Sequence, residues 1–411
     1  MRILWVKANK ILPANSGGDI RSFNILQQLA KREEVVFLSY YDGAPDPAYE
    51  VELRQRLPGA MCICTGKRME SRWARGWDYL RRWPEAAPYA VGRFASSAVQ
   101  KSVRECLAQK NPDAVVDIAV CDFLDAAINF PGASSDSGKV PMVLFQHNVE
   151  SEIWRRHANN GSGLAMKMVY RREFRKMLGY EQAAVRRFDH VIAVSEGDRE
   201  LISGWTEPDR ISVVPTGVDT AKFSPGAGQV QEKPLVIFVG AMDWDPNVDA
   251  VKYFCAEIWP GILNKIPQAR FRIVGRNPDR RVLALVGDSV EVTGSVPSVV
   301  EHLREAAVVV VPLRIGGGTR LKIYEAMAAG KAVVSTTVGA EGLDAHAGQD
   351  LILADSARMF SESVVMLLEN AEMRRRVGQA ALVTAGKYEW VVVGDRFRDV
   401  LRQVVASGVE I

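Results

Sequence analysis

The sequence predicts an α/β protein built from two doubly wound parallel sheets, one in each half of the chain. Three observations carry this expectation. The chain has 411 residues, more than one hydrophobic core usually supports and enough for two domains of about 200 residues each. Short β-branched apolar runs alternate with helical stretches, the pattern of parallel strands joined by helical crossovers. The alternation also starts twice. Between the two rounds, Pro215-Thr216-Gly217-Val218-Asp219 leads into Phe223-Ser224-Pro225-Gly226-Ala227-Gly228, rich in turn formers and poor in periodicity.

In the first half, strands are expected at residues 3–6, 35–41, 61–64, 114–118, 140–145 and 191–194. A helix is expected over 19–31, with Leu26, Leu29 and Ala30 on its inner stripe. In the second half, strands are expected at 235–239, 270–274, 289–292, 308–311, 332–335 and 350–353. The hinge falls near 205–215 and a trailing linker near 224–233, while residues 132–139 (GASSDSGK) are expected to form a flexible surface loop.

Composition narrows the class. Hydrophobic residues make up 47% and charged residues 25%, values of a globular enzyme, and a net charge of +3 is too mild to imply a nucleic-acid partner. Five cysteines, Cys62, Cys64, Cys106, Cys121 and Cys255, are odd in number and scattered, which argues against a disulfide framework or a zinc site. The opening MRILWVKANK lacks the features of a signal peptide, and no apolar run approaches the roughly 20 residues that span a bilayer. The expected location is cytoplasmic.

The stretch from Val308 to Leu343 is the most informative. A valine run breaks into Gly316-Gly317-Gly318, restarts as a helix after Thr319, and gives a further strand. Glycines let a backbone approach a ligand closely, and the free N–H groups at a helix start favour an anion. Arg320 and Lys322 sit where their charge opposes the helix dipole, so they are expected to reach a phosphate. Glu325 is a carboxylate acceptor suited to a pair of ribose hydroxyls. Together these residues describe a nucleotide site.

The run Glu325-Ala326-Met327-Ala328-Ala329-Gly330-Lys331-Ala332-Val333-Val334-Ser335-Thr336 resembles the E-A-M-A-x-G-x-P-V-V-x-T signature of retaining GT-B glycosyltransferases, the large family 4 or group 1, with Ala332 in place of proline. Val214 to Asp219 followed by Phe223-Ser224-Pro225 resembles the family's interdomain P-N-G-V-D…F-x-P element, with Thr216 for asparagine. Lys387-Tyr388-Glu389-Trp390 resembles the Y-S-W element that precedes a final helix crossing back to the first domain. The resemblance implies a GT-B fold: an acceptor domain over 1–210, a donor domain over 211–390, and a returning helix over 391–411. It also implies a hexosyltransferase that moves a sugar from a nucleoside diphosphate donor to a hydroxyl acceptor with retention, in polysaccharide, lipopolysaccharide or glycoconjugate biosynthesis. The alternatives on the same fold are a non-catalytic sugar-nucleotide binding subunit and a nucleotide-sugar epimerase.

Site residues follow from the same resemblance. Gln146-His147-Asn148-Val149-Glu150 resembles the H-N-x-E element of related transferases, which makes His147 a catalytic candidate that hydrogen-bonds the transferred sugar. Arg320 and Lys322 are the candidates that neutralise the leaving diphosphate, with no cofactor and no metal needed. Gly17 and Gly18 form either a plain tight turn or the loop that faces the donor phosphates or acceptor, and Arg21 beside them is either a charge contributor or solvated. Gly240 lies near phosphate, although Ala241 stands where many relatives have arginine and no lysine follows until Lys252; Asn247 reads as a cap of the next helix. Gly275, Arg276 and Val296 flank the base, with Arg276 either stacking on it or facing solvent. Gly316, Gly317, Gly318, Thr319 and Glu325 complete the donor set, and Gly317 occupies the position of the family's first glutamate. Ser195, Glu196 and Asp198 read as a helix cap.

Residues 154–187 are strongly basic, with Glu173 and Glu181 as counter-charges, and Trp73, Trp77, Tyr79 and Trp83 lie among arginines. Three readings stand: a solvated basic face, an acceptor site for a phosphorylated or lipid-linked substrate, and peripheral contact with the inner face of a membrane.

Overall fold

The computed structural model describes residues 1–66, 72–108, 115–132, 140–160, 163–226, 233–315 and 320–408. The chain divides into two compact units. Unit 1 holds Met1–Pro215 and Val393–Ile411, and unit 2 holds Thr216–Val392.

Unit 1 carries β1 (Arg2–Ala8), β2 (Glu34–Tyr41), β3 (Ala60–Cys64), β4 (Ile118–Asp122), β5 (Met142–Phe145), β6 (His190–Ala193) and β7 (Ile211–Val213). Among the described residues they form one sheet in the order β3-β2-β1-β4-β5-β6-β7, and every pairing is parallel. β4, β5 and β6 are buried at every position, as expected where helices cover both faces of a sheet. Leu4, Val6, Leu38, Ala119, Cys121, Leu144 and Val191 lie in one of its hydrophobic clusters.

Unit 2 repeats the plan with β8 (Leu235–Val239), β9 (Arg270–Val274), β10 (Val290–Gly294), β11 (Val308–Val311), β12 (Ala332–Ser335) and β13 (Ile352–Leu353). Their order is β10-β9-β8-β11-β12-β13, again all parallel. Each unit therefore reverses its strand order once, between β1 and β4 and between β8 and β11. Ligands of such sheets bind at the carboxyl ends of the strands beside that reversal.

Three differences from the sequence expectation matter. β4 begins at Ile118, where residues 114–118 were expected to be the strand, because the pairing of Ile3 with Ile118 and of Lys7 with Asp122 sets its register. The valines before it are equally apolar, so composition alone does not choose between them. β7 forms within the stretch expected to be the hinge. Ala30, expected on the inner stripe of the first helix, is exposed; the helix is Gly17–Leu29 and ends before it.

The Trp390–Gly408 helix passes from unit 2 into unit 1. There Phe397 is fully buried, 5.3 Å from the Trp5 ring centroid and 5.0 Å from that of Phe145. Gly394 allows its approach to the first helix, since a Cβ there would fall 2.5 Å from Gln28 Cβ. Among the described residues no helix is long and apolar enough to cross a membrane.

Candidate functional site

In unit 1, the reversal point collects a buried polar cluster. Lys7 is the second-last residue of β1, Asp122 ends β4, His147 follows β5, and Arg21 lies one turn into the Gly17–Leu29 helix, which Ser16 caps by accepting from Asp19 N at 3.2 Å. His147 is 1% exposed. Its Nε2 lies 2.8 Å from Asp122 Oδ1 and its Nδ1 lies 3.0 Å from Arg21 Nη1. Arginine can only donate, so Nδ1 is the acceptor and Nε2–H donates to Asp122. Burial lowers the His147 pKa to about 3 even though Asp122 pulls it up, and the ring is neutral. Burial pushes the Asp122 carboxyl up, but Lys7 at 3.7 Å and His147 outweigh it and hold it well below the usual carboxylate range. Trp5 Nε1 adds a hydrogen bond to Asp122 Oδ2 at 2.9 Å. Burial also lowers Arg21 to about 10.

The imidazole is stacked on Phe123, with centroids 3.9 Å apart at 15°. Phe123 has φ +73°, a conformation that costs a β-carbon residue on the order of 1–3 kcal/mol. Gly18 makes room for this ring: a Cβ there would lie 2.8 Å from Phe123 Cε2 and 3.7 Å from His147 Nδ1. Gly17 is exposed at the helix start. The loop carrying His147 is held from below by Glu181, which accepts from Gln146 Nε2 at 2.5 Å, Glu150 N at 2.7 Å and Ser151 N at 3.0 Å. Burial raises Glu150 to about 8, with Asp125 and Glu181 adding to the effect.

In unit 2, the turn after β8 and the turn after β9 are laced together. Gly240 N donates to Val274 O at 3.0 Å and Met242 N to Arg276 O at 2.9 Å. A Cβ on Gly275 would fall 1.6 Å from Gly240 O, so only glycine fits. After β11, the Leu321–Ala328 helix begins at Arg320. Lys322 reaches back from it to the β8 turn: Nζ donates to Asn247 Oδ1 at 2.9 Å and lies 4.2 Å from the Phe238 centroid. A Cβ on Gly240 would come 2.8 Å from that ammonium. Burial, reinforced by Arg320, lowers Lys322 to about 7. Arg320 is 5% exposed, its guanidinium carbon 5.9 Å from the centroid of the exposed Trp244. Burial raises the Glu325 carboxyl, opposed by Lys222 and Lys322.

With this geometry in place, the comparisons decide the family. Residues 16–222, half of the chain, match the model of Glycosyltransferase Family 4, and residues 233–370 match that of Glycosyl transferases group 1. The chain belongs to Glycosyltransferase Family 4. It is 27% identical over 231 residues to a phosphatidyl-myo-inositol mannosyltransferase of Mycolicibacterium smegmatis, a match covering 54% of this chain and 58% of that protein. It is 25% identical over 268 residues to a D-inositol 3-phosphate glycosyltransferase of Corynebacterium glutamicum, covering 55% and 60%. The chain thus spans less than two thirds of these relatives' length. In fold it is similar to sucrose-phosphate synthase of Thermosynechococcus elongatus (TM-score 0.68, 15% identity, 99% and 100% of the two chains). It is also similar to Anabaena HepE in complex with UDP (0.66, 14%, 98% and 100%). The fold of this family 4 chain is GT-B.

The family 4 chain brings its expected residues together within each unit. In unit 1, Gly18 and His147 meet through Phe123; in unit 2, Gly240, Gly275, Lys322 and Arg320 share one sheet edge. Arg276 is exposed and Val296 packs against the core. Gly316, Gly317, Gly318 and Thr319 lie outside the described residues, as do residues 133–139 of the expected loop, residues 227–232 of the expected linker and the Trp73 side chain.

Several expectations need correction. Arg21 is not solvated but buried on His147. His147 presents no unengaged ring nitrogen, so direct contact with a sugar hydroxyl would require giving up Arg21. Asn247 is not a cap: it lies inside the Asp245–Tyr253 helix and bridges Ala241 O, at 2.8 Å, to Lys322. Ser195 is a cap, accepting from Asp198 N. Sequence reasoning missed Lys7, whose signal was a charge just past the expected strand at 3–6, and Asp122, which fell four residues beyond the expected strand at 114–118 and so gave no such signal. A cavity of about 840 Å³ opens at the amino ends of β8 to β10 beside Lys233, Arg270 and Glu291. That is the opposite edge of the sheet from the glycine turns.

Proposed function

We propose that the chain transfers a sugar from a nucleoside diphosphate donor to a hydroxyl acceptor, with retention, in polysaccharide, lipopolysaccharide or glycoconjugate assembly. One observation carries the reading. At the carboxyl edge of unit 2, Lys322 and Arg320 repel each other beside two glycine turns, and an anion placed there relieves the repulsion. Ala241 removes the arginine many relatives place after β8, and Lys322 supplies a positive charge at that same turn. In the transfer, the bond from the anomeric carbon to the diphosphate breaks and the acceptor oxygen bonds that carbon. The hydroxyl proton leaves toward the diphosphate or solvent. Arg320 and Lys322 take up the charge that develops on the departing phosphate, and the reading assigns this to side chains without a resident metal or cofactor. Glu325 serves the ribose, Gly275, Arg276 and Val296 flank the base, Gly17 and Gly18 face the donor phosphates or the acceptor, and His147, on giving up Arg21, hydrogen-bonds the transferred sugar. HepE was solved with UDP, which supports a nucleotide donor; the inositol-directed relatives support a phosphorylated or lipid-linked acceptor.

Peripheral contact with the inner face of a membrane fits one further observation. Both expected counter-charges of the basic Leu164–Arg187 helix point inward: Glu173 accepts from Tyr79 Oη and Tyr89 N, and Glu181 from the His147 loop. Arg171 and Arg175 stay exposed, and Trp77 and Leu80 are 71% and 58% exposed. The deciding experiment incubates the purified chain with UDP-, GDP- and ADP-sugars and a lipid-phosphate acceptor. Product with unchanged anomeric configuration by NMR supports the proposal, and donor binding without transfer or hydrolysis counts against it.

A further inference from the structure

Lys322 is held by a neutral group where a carboxylate of the same shape would fit. Its ammonium donates to Asn247 Oδ1 at 2.9 Å over the Phe238 ring. The charged groups that bear on it are Arg320, at the start of its own helix, and Glu325, one turn on, which Lys222 faces from the neighbouring Thr220–Phe223 segment. β8 contributes Phe238, and the turn after it contributes Gly240. The Asp245–Tyr253 helix contributes Asn247, while its Asp245 and Asp249 pair instead with Arg281 and Arg314. Asn247 is itself 2% exposed and clamped, its Nδ2 donating to Ala241 O at 2.8 Å. Gly240 completes the fit, since a Cβ there would fall 2.7 Å from Asn247 Nδ2. An amide accepts one hydrogen bond without cancelling the cation, whereas an aspartate would do both.

Resting on the reading that this edge of unit 2 holds a diphosphate, we infer that Asn247 is a positioning residue: its carboxamide fixes the Lys322 ammonium on the β8 turn while leaving that charge uncompensated for a phosphoryl group. The test is calorimetric titration of the full chain with UDP, GDP and ADP across neutral to alkaline pH. Wild type, Asn247→Asp, Asn247→Ser and Lys322→Met are compared, with a thermal melt of each. Asn247→Asp is expected to fold and to weaken the best nucleotide about tenfold or more. It should also move the alkaline loss of binding to higher pH, because a paired lysine keeps its proton. Asn247→Ser, too short to reach both Ala241 and Lys322, is expected to lose affinity without that upward move. Wild-type affinity and pH profile in folded Asn247→Asp would overturn the inference, as would equal losses in both variants with unmoved profiles. Should Asn247→Asp not fold, unchanged affinity in Asn247→Ser overturns it. The diphosphate reading fails separately, when wild type binds none of the nucleotides or Lys322→Met binds them equally well.

Discussion

His147 donates through Nε2 to Asp122 at 2.8 Å, and Lys7 stands 3.7 Å from the same carboxylate. The result is a neutral imidazole whose tautomer is fixed by a charge it does not share. Its folded pKa, about 3, lies below the ordinary 6.5. The unfolded chain therefore binds the extra proton first as pH falls, so the stability from this neutral ring is full above pH 6.5 and drains away toward pH 3. Asp122, also held low, acts in the same direction further down. His147→Gln is expected to flatten the fall in melting temperature between about pH 6.5 and 5. Melts at several pH values check this; a slope equal to wild type contradicts it.

Removing the ring altogether should be costly. His147→Ala takes away a stacked, doubly bonded side chain and leaves Arg21 and Asp122 short of a partner. A loss of about 3 kcal/mol or more in chemical denaturation is expected. Turnover per folded molecule separates this structural part from the catalytic part proposed for His147. A strong fall in turnover with nucleotide affinity held supports the catalytic part, and near-normal turnover leaves only the structural one.

Lys322 carries a second pH signature. Its folded pKa of about 7 is lowered from 10.5 by burial and by Arg320. Between these values the unfolded lysine binds more protons, so this residue's penalty on stability is full below pH 7 and is relieved as pH rises toward 10.5. A diphosphate does the reverse and restores the proton. Nucleoside diphosphate binding at about pH 8 is expected to take up a sizeable fraction of one proton, and affinity to decline as pH climbs. Calorimetry in two buffers of different ionisation enthalpy reads the uptake directly; heats that do not depend on buffer would refute it.

Glu325 should separate the two ends of the nucleotide. Glu325→Gln is expected to weaken UDP or GDP by about 1.5–3 kcal/mol, the loss of hydrogen bonds to a charged acceptor, while pyrophosphate binding stays near wild type. Lower thermal stability with affinity intact would show a helix carboxylate and nothing more.

Gly275→Ala places a methyl group on the carbonyl of Gly240, at 1.6 Å. Neither backbone has room, so the two turns must part. A destabilisation of about 3 kcal/mol is expected, with nucleotide affinity lost before the fold is. Binding measured on the folded fraction checks the order of these losses.

The fold was legible because the central strands of both sheets are buried on both faces, which writes them as apolar runs such as Val308–Val311. Legibility failed where apolar runs continue past the strand. Residues 114–118 and Ile118–Asp122 look alike in composition, and only the pairing with β1 places Asp122 at the site. The donor edge was half legible. The loss of a positive residue at Ala241 pointed to Arg320 and Lys322, but not to Asn247, whose amide looks like a cap until the lysine is seen on it. Which of its two readings Arg21 takes was not legible, for the opposite reason: its contact with His147 lies 126 residues away, beyond any local pattern.

The course of the last helix reverses the usual order of assembly during synthesis. Thr216–Val392 is one unbroken stretch, so that unit has every residue of its hydrophobic cluster available once Tyr388 is translated, before the body of the final helix. The unit that emerges first does not. Trp5 and Phe145 must wait for Phe397, nearly four hundred residues after the start, before their ring faces are covered. A nascent chain of this protein thus finishes its second half first, and for that interval carries an exposed aromatic face of the kind that chaperones hold.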